Sequence, residues 1–448
     1  ADLLAGNAGA AYAYLRGLDP ASPDASAERL YYLEECARRL SDDGGMMAAV
    51  RSLGELYPKS PWRLKALLSA GNRFLLVNRA EDYVPLYEAA YRDFPSEPSA
   101  GTAHWKVTFH AWLANQPGAA DLLREQLRRY PTHPTAGAAL YFLGRGAEQD
   151  GDFGAARTCY ERLTKTFQNT YYAMQARGRL ARAEVASAPL AEQTVAFLSS
   201  LALPQTGPVP AEDSRATALR IERSRLLRAA GLDDLADSEL RFGARTDGQP
   251  ARLAMEMAAS ADAPYQGVRI MKSMVPDYLG LSLDAAPRHF WELLFPLPYR
   301  SELLQSARGR GLDPYLVAGL IRQESEFNPR ALSRANAYGL TQVRPATGRR
   351  FAQSAGVRRL SAGALYQPSV NLKIGSAILR SMLDEHNGKL EPTLAGYNAG
   401  PNRVTQWLAW NTYREPAEFV ESIPFTETRD YVQAVLRNAD VYRRLYGR

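Results

Sequence analysis

Residues 313–329, DPYLVAGLIRQESEFNP, place an acidic residue on the otherwise apolar face of a helix. Asp313 followed by Pro314 is typical of an N-cap with proline in the first turn, and Pro329 is expected to end the segment. Four residues recur at the spacing of one buried helical face: Leu316, Val317, Leu320 and Ile321. Glu324 continues this face, whereas Glu326 is expected to point about 200° away around the same helix.

A glutamate on an apolar face is a candidate catalytic acid. Ionising an unpaired buried carboxyl costs several kcal/mol, so the group either pairs with a cation or stays protonated. A purely structural interpretation is also open, because Glu324 lies near the helix end. There its carboxylate could face solvent or pair with Arg322 or Arg330. The rest of the chain has to distinguish these interpretations.

The composition is that of a folded protein. The chain has 448 residues, of which 46% are hydrophobic and 23% charged, enough for roughly two to four domains. No apolar stretch reaches the roughly 18 residues of a membrane span, so we expect none. The N-terminal stretch ADLLAGNAGAAYAYL has no signal-peptide pattern and is compatible with a mature, processed chain.

The net charge of +6 is unevenly distributed. Residues 300–448 hold 21 Lys/Arg against 13 Asp/Glu, or +8, which leaves −2 for the remainder. A basic C-terminal third favours an anionic partner such as nucleic acid, acidic lipid or an acidic cell-wall polymer. An ordinary solvated arginine-rich surface is the alternative.

The first part of the chain repeats. The motifs YPKSP, FPSEP and YPTHP begin at Tyr57, Phe94 and Tyr130, and a degenerate copy, FQNTY, begins at Phe167. Each follows a helical pattern, and the spacing of 36 or 37 residues is typical of stacked helix pairs. We therefore predict an all-α fold: an α-solenoid similar to tetratricopeptide arrays over residues 1–202, a helical linker domain over 203–294 and a separate domain over 295–448. The proline-rich stretch LPQTGPVPAEDS marks the first boundary.

Cysteines and histidines form no metal-binding pattern. Cys36 and Cys159 are not a CxxC pair, and the five histidines show no HExxH spacing, so we expect no metal and no other cofactor. The cysteines fall in the first and fourth repeats. With helices about 8–10 Å apart, they are too distant for a disulfide, which needs Cα atoms within about 7 Å.

Four short motifs follow one another in the last third: RQESEFNPRALS, NAYGLTQVRP, LAGYNAGPNRV and ESIPFTETRDYV. Each is weak alone, but together and in this order they are specific. This region resembles the soluble lytic transglycosylases, whose pattern runs ES, GLMQ, AYNAG and then an IPF-ETR-YV segment. The resemblance implies a lysozyme-like α-helical catalytic domain. It also implies cleavage of the MurNAc–GlcNAc β-1,4 linkage of peptidoglycan to leave a 1,6-anhydro end. The helical N-terminal two thirds resemble the superhelical region of the large periplasmic members by architecture only.

The resemblance implies that Glu324 is the catalytic acid and base. Seven further positions are implied to bind or border the saccharide: Ser325, Gly339, Gln342, Tyr397, Asn398, Glu427 and Tyr431. Three positions depart from the pattern. Thr341 replaces the methionine of GLMQ, Gly396 replaces an alanine, and Asn336 stands where a glycine is common. Thr341 puts saccharide packing and subsite preference in question.

A single buried glutamate suits this chemistry. At its usual pKa near 4.3 a glutamate is only about 0.2% protonated at pH 7, and a pKa near 6 raises this to roughly 10%. The sugar's own C6 hydroxyl can then replace water as nucleophile, so no second carboxylate is needed. Glu427 is the main candidate if one exists.

Two other functions are compatible with the sequence. One is a lysozyme-type hydrolase on the same fold, and the other is a non-catalytic wall-binding or docking protein that acts through the solenoid. For the transglycosylase, the expected partners are peptidoglycan strands, not nucleic acid, and the helical region could dock other cell-wall enzymes. The implied location is the periplasm or cell envelope.

Overall fold

The computed structural model describes residues 2–447. By contacts the chain divides into two units, the first comprising Ala1–Asp152 and Val195–Leu203 and the second Phe153–Thr194 and Pro204–Arg448. The predicted division into three domains is a different partition and stays a prediction. No helix within residues 2–447 is both long and apolar enough to cross a membrane.

The described part of unit 1 is built from consecutive helices that pack on their neighbours in the chain. They are α1 (Ala8–Gly17), α2 (Pro23–Arg39), α3 (Asp43–Leu56), α4 (Pro61–Leu75), α5 (Ala80–Asp93), α6 (Ala100–Leu113), α7 (Ala119–Arg129) and α8 (Ala136–Gln149).

The repeated aromatic-proline motifs mark the ends of alternate helices in this unit. Tyr57, Phe94 and Tyr130 directly follow α3, α5 and α7, with φ values of −136°, −130° and −133°. All three rings pack against the core of the unit. The predicted solenoid of helix pairs is therefore confirmed for these three motifs.

Helices also make up most of the described part of unit 2, in which three short 3-10 helices (Pro276–Gly280, Leu283–Ala285 and Gly363–Tyr366) are interspersed. The first helices are α9 (Phe153–Thr166), α10 (Tyr171–Leu180), α11 (Ala183–Ser187) and α12 (Glu192–Ser199), which crosses the boundary into Val195–Leu203. Next come α13 (Arg215–Ala229), α14 (Asp233–Thr246), α15 (Pro250–Ala259), α16 (Pro264–Met274), α17 (Arg288–Leu294), α18 (Arg300–Arg308) and α19 (Pro314–Glu324). The last are α20 (Pro345–Ala352), α21 (Pro368–Glu385), α22 (Leu390–Ala399), α23 (Pro401–Leu408), α24 (Pro416–Ser422) and α25 (Thr426–Tyr446).

The all-α prediction is confirmed, because the β-structure among residues 2–447 consists of two isolated bridges, Leu332 to Tyr338 and Tyr338 to Val343. The proline-rich stretch between α12 and α13 carries no helix, as predicted. Cys36 and Cys159 are buried thiols that are not joined by a disulfide, which confirms that prediction too.

Helix α19 begins as the sequence predicts. The Asp313 side chain accepts a hydrogen bond from the Tyr315 amide at 2.9 Å, and Pro314 occupies the first turn. The helix ends at Glu324, however, earlier than Pro329 suggested. Glu326 and Phe327 take left-handed backbone angles (φ 54° and 68°), which end the helix.

The expected direction of Glu326 is therefore wrong, because this residue lies beyond the helix. Its carboxylate pairs with Arg269 and Lys272 of α16, both at 2.7 Å. The neighbouring Phe327 is buried and packs near Tyr442 of α25. These contacts account for the sharp turn directly after Glu324.

Helices α19 and α25 cross in close contact at Gly319. A methyl group at this position would lie 2.7 Å from the Val435 carbonyl oxygen and 2.8 Å from the Ala439 amide nitrogen, closer than carbon atoms pack. Only glycine allows the two backbones to approach this far. The crossing fixes where the end of α19 meets α25.

We predict that Gly319→Ala destabilises α19 by about 1–3 kcal/mol, because the obstructing atoms are backbone and must move. The free energy of opening of α19, from hydrogen exchange resolved by mass spectrometry, measures this. Gly178→Ala in α10 is the matched control, since its added methyl group meets nothing within 4 Å. There alanine is expected to stabilise the helix by about 0.5–1 kcal/mol. Unchanged opening of α19 in Gly319→Ala would contradict the crossing.

Candidate active site

Glu324 is the last residue of α19 and is half-buried against α25. Its Oε1 accepts a hydrogen bond from the Tyr431 hydroxyl at 2.5 Å. Tyr431 lies on α25 and is only 5% exposed, so its hydroxyl has a fixed position. The end of α19 and one turn of α25 therefore hold the carboxyl group between them.

Burial raises the pKa of Glu324 from about 4.5 to about 7, and the hydrogen bond from Tyr431 opposes this rise. Among residues 2–447 Glu324 forms no ion pair that would offset the burial. The charge of Glu324 in turn adds to burial in raising the pKa of Tyr431 and of Tyr397. Near neutral pH about half of the Glu324 carboxyl groups therefore keep their proton.

The alternative partners of Glu324 are engaged elsewhere or exposed. Arg322 is buried, donates to the Leu294 carbonyl oxygen at 2.8 Å and stacks 4.1 Å from the Phe295 ring centroid. Arg330 is exposed on the following loop. The interpretation that an arginine holds Glu324 does not describe this structure.

A tight loop formed by residues 339–342 lies beside the end of α19. Tyr338 and Val343 close it with two backbone hydrogen bonds of 3.0 Å. Gly339 has φ +70°, and a methyl group there would lie 2.3 Å from the Leu365 carbonyl oxygen. The buried Ser325 hydroxyl donates to the Leu340 carbonyl oxygen at 2.7 Å. Ser325 thus ties this loop to the residue next to Glu324.

Gln342 and Asn336 both occupy left-handed backbone positions, with φ 49° and 61°. The side-chain amide nitrogen of Gln342, Nε2, donates to the Gly339 carbonyl oxygen at 2.9 Å, which closes the loop on itself. Asparagine tolerates the left-handed region better than most residues. Asn336 is therefore compatible with the backbone conformation of its position.

Thr341 points into the protein interior and is 0% exposed. Its backbone nitrogen and its hydroxyl both donate to Asn371 Oδ1, at 2.9 and 2.6 Å. Its side chain packs against Gly375 of α21, where a methyl group would lie 2.2 Å from the Thr341 hydroxyl. The expected influence of Thr341 on saccharide packing would thus have to act through the fold of the loop.

Asn371 supports the loop at residues 339–342 and was not predicted from the sequence. Its side-chain nitrogen, Nδ2, donates to the carbonyl oxygens of Tyr338 and Leu365, both at 2.8 Å. Asn371 therefore joins the loop to α21. The signal was available, because Asn371 is a polar residue within the apolar pattern of α21, just as Glu324 is within that of α19.

Tyr397 and Asn398 lie side by side near the end of α22. The Tyr397 hydroxyl donates to the Thr341 carbonyl oxygen at 2.9 Å, and Asn398 Oδ1 accepts from the Thr428 hydroxyl of α25 at 2.6 Å. The side-chain nitrogen of Asn398, Nδ2, donates no hydrogen bond to any acceptor among residues 2–447. Helix α22 thus joins the loop to α25 and leaves one donor available.

Hydrogen bonds link most of the predicted site residues, directly or through their neighbours, but Glu427 is not part of this network. Glu427 is exposed in the first turn of α25, one turn before Tyr431, and therefore on the same face of that helix. No hydrogen bond or ion pair joins it to Glu324 among the described residues. Thr428, which the sequence analysis did not single out, is the α25 residue that contacts Asn398.

We predict that replacing Glu324 by the isosteric glutamine changes how stability depends on pH. The folded-state pKa near 7 lies above the ordinary value of 4.5, so the wild type loses stability relative to the variant as pH rises from about 4.5 to 7. A shift of this size corresponds to about 3 kcal/mol, fully developed above pH 7. Urea unfolding of both proteins between pH 4 and pH 8 measures the difference. A difference in unfolding free energy between the two proteins that does not change with pH would contradict the raised pKa of Glu324.

Family models match the C-terminal part of the chain. A model described as Transglycosylase SLT domain matches residues 303–420 and includes Glu324. A model described as Soluble lytic transglycosylase helical domain matches residues 422–448, which include Glu427 and Tyr431.

Known proteins agree with these matches. The chain is 35% identical over 155 residues to the soluble lytic murein transglycosylase of Salmonella typhimurium. The aligned region covers 34% of this chain and 24% of that protein. It thus spans about a quarter of the length of the relatives that it matches.

Two solved structures share the fold over almost the whole chain. An inactive mutant of the lytic transglycosylase Slt from Pseudomonas aeruginosa superimposes with a TM-score of 0.68 at 21% identity, covering 98% of this chain and 68% of that one. The 70 kDa soluble lytic transglycosylase from Escherichia coli superimposes with a TM-score of 0.64 at 22% identity, covering 99% and 66%. Residues 303–420 and 422–448 thus match domain models of the soluble lytic transglycosylases, and the chain shares the fold of two solved members of that family.

Proposed function

We propose that the chain is a peptidoglycan lytic transglycosylase in which Glu324 acts first as an acid and then as a base. The observation that carries this proposal is the state of Glu324, which burial gives a pKa of about 7. Such a group can donate a proton near neutral pH and still accept one back. The substrate is the β-1,4 linkage between MurNAc and GlcNAc, and the place of action is the cell envelope, which contains that polymer.

In the first step Glu324 protonates the glycosidic oxygen. The bond from this oxygen to C1 of MurNAc breaks, its electron pair stays with the oxygen, and GlcNAc leaves as an alcohol. Positive charge develops on the MurNAc ring. The Tyr431 hydroxyl, 2.5 Å from Glu324, donates to the carboxylate that results and stabilises it.

In the second step the C6 hydroxyl of the same MurNAc attacks C1. Glu324 accepts the hydroxyl proton, and the new C6–O–C1 bond closes the 1,6-anhydro ring. No water is consumed, and Glu324 returns to its protonated form. An intramolecular hydroxyl has a high effective concentration, so it competes well with water.

The surrounding residues are proposed to hold the sugar. Gly339 and Gln342 form part of the cleft floor, and the Asn398 amide nitrogen and Tyr397 contact the reacting sugar. Glu427 and Tyr431 on α25 form the facing wall. Ser325, buried and bonded to Leu340, positions Glu324 relative to this floor. We place the catalytic domain at residues 295–448.

We predict that Glu324→Gln reduces the release of 1,6-anhydro-muropeptides from purified peptidoglycan by at least about 100-fold, the usual contribution of a general acid. Mass spectrometry of the released fragments measures this. Glu302→Gln is the matched control, because Glu302 on α18 is likewise a glutamate, but a hydrogen bond from Ser301 lowers its pKa. It should release anhydro products at the wild-type rate. Equal release by Glu324→Gln and wild type would refute the proposal.

The same fragments separate this reaction from hydrolysis. A lysozyme-type enzyme uses water and releases reducing ends, and the exposed Glu427 is the carboxylate that would activate that water. Reducing products that disappear in Glu427→Gln would assign the chain to the hydrolases. Anhydro products that persist in Glu427→Gln, even at a lower rate, agree with the transglycosylase.

A further inference from the structure

One segment holds all of the excess positive charge of the protein. Residues 327–383, which follow Glu324 almost directly, contain nine Lys/Arg and no Asp or Glu. The remaining residues contain 45 Lys/Arg against 48 Asp/Glu and are therefore net negative at −3. A span of 57 residues without a single acid sets this segment apart from the rest of the chain.

This segment folds around one core. Val343, Leu365, Ile374 and Ile378 are at its centre, and all of them come from the segment itself. Tyr397 of the candidate site packs against the same core. The charged side chains are therefore carried by a single body that also supports the site.

Eight of the nine cations form what we call the basic surface, defined as the exposed Lys and Arg side chains of residues 327–383. None of these eight pairs with a carboxylate among residues 2–447, whereas the ninth, Arg380, pairs with Asp384. Elsewhere in the same unit exposed cations do find partners, as Arg225 does with Glu256 at 2.7 Å. Unpaired like charges repel one another, so an anionic ligand relieves a cost that the fold leaves uncompensated.

Part of the basic surface lies next to the candidate site residues along the chain. Arg330 and Arg334 lie between Glu324 and Gly339 in the chain, and Arg344 comes two residues after Gln342. The cations are densest in the sequence just after this, where Arg349 and Arg350 occupy the last turn of α20 and Arg358 and Arg359 lie in a bend shortly beyond it.

The surface suits a carboxylate-bearing polymer better than a membrane. Membrane-surface segments combine cations with exposed apolar side chains that enter the lipid. In residues 327–383 the one large hydrophobic residue that is strongly exposed is Leu332. Several guanidinium groups with little exposed apolar surface between them are typical of carboxylate or phosphate recognition.

We propose that the basic surface binds the carboxylates of the peptide stems on the peptidoglycan strand whose glycan occupies the cleft. The inference rests on the proposed function for the identity of the strand. It assigns to the surface a role in holding cross-linked or peptide-bearing strands, separate from the acid–base chemistry of Glu324.

Binding is tested with the catalytically silenced Glu324→Gln protein, so that cleavage does not alter the polymer. The test variant adds R349Q, R350Q, R358Q and R359Q, and the matched control adds R51Q, R215Q, R241Q and R245Q, four exposed arginines outside the surface. Both lose the same charge. Co-sedimentation with insoluble peptidoglycan should show about tenfold weaker binding for the test variant only, the sum of four modest ionic contacts. Its dependence on salt should also be weaker.

A second test changes the peptidoglycan instead of the protein. Converting the stem carboxylates of the peptidoglycan to amides should reduce the binding of the control protein to the level of the test variant. Equal binding by test and control variants would overturn the proposal, and so would binding that is insensitive to amidation. Vesicles containing phosphatidylglycerol that bind the control protein more tightly than peptidoglycan does would assign the surface to lipid instead.

Different experimental results would refute this inference and the proposed function. A wild-type protein that releases no anhydro products refutes the reaction, whatever the binding of the inactive variants. A wild-type protein that releases them, together with equal binding by test and control variants, refutes the basic surface alone.

Discussion

The close crossing of α19 and α25 at Gly319 is the constraint on which the candidate site depends. Because Gly319 has no side chain, the two backbones approach until a methyl group would lie 2.7 Å from a carbonyl oxygen of the opposite helix. Five residues further along α19, the same approach places the Glu324 carboxyl against the Tyr431 hydroxyl. The left-handed backbone angles at Glu326 and Phe327 then end the helical path directly after Glu324. The acid is therefore positioned by backbone geometry, not by a charged partner.

This arrangement has opposite consequences for folding and for chemistry. Burial raises the pKa of Glu324 to about 7, so at neutral pH the folded protein holds a carboxyl group that would be ionised in the unfolded chain. That costs stability. The same shift supplies a protonated acid where a glycosidic bond needs one. The supporting contacts, from Ser325 to Leu340, from Tyr397 to Thr341 and from Asn371 to the loop at residues 339–342, hold the surrounding walls in place.

Local patterns predicted much of this from the sequence. The apolar period of α19 singled out Glu324, the repeated aromatic-proline motifs predicted the helix pairs, and four ordered motifs pointed to the family. Contacts distant in sequence were beyond such patterns. The early end of α19 depends on the pairing of Glu326 with Arg269 and Lys272, more than fifty residues away. The burial of Thr341 depends on Asn371 and Gly375 of α21. The closeness of Gly319 to Val435 is likewise a tertiary contact, and in the sequence Gly319 is only a poor helix former.

The most direct test of this account is the titration of the Glu324 carboxyl itself. Carbon-13 NMR of protein labelled at the glutamate side-chain carboxyl, with Glu324→Gln used to assign the resonance, gives its pKa without reference to activity. We expect a midpoint near pH 7, because Glu324 is buried against α25. A midpoint near the ordinary 4.5 would mean that Glu324 is ionised at neutral pH, and the proposed role of the α19–α25 crossing in preparing the acid would then be wrong.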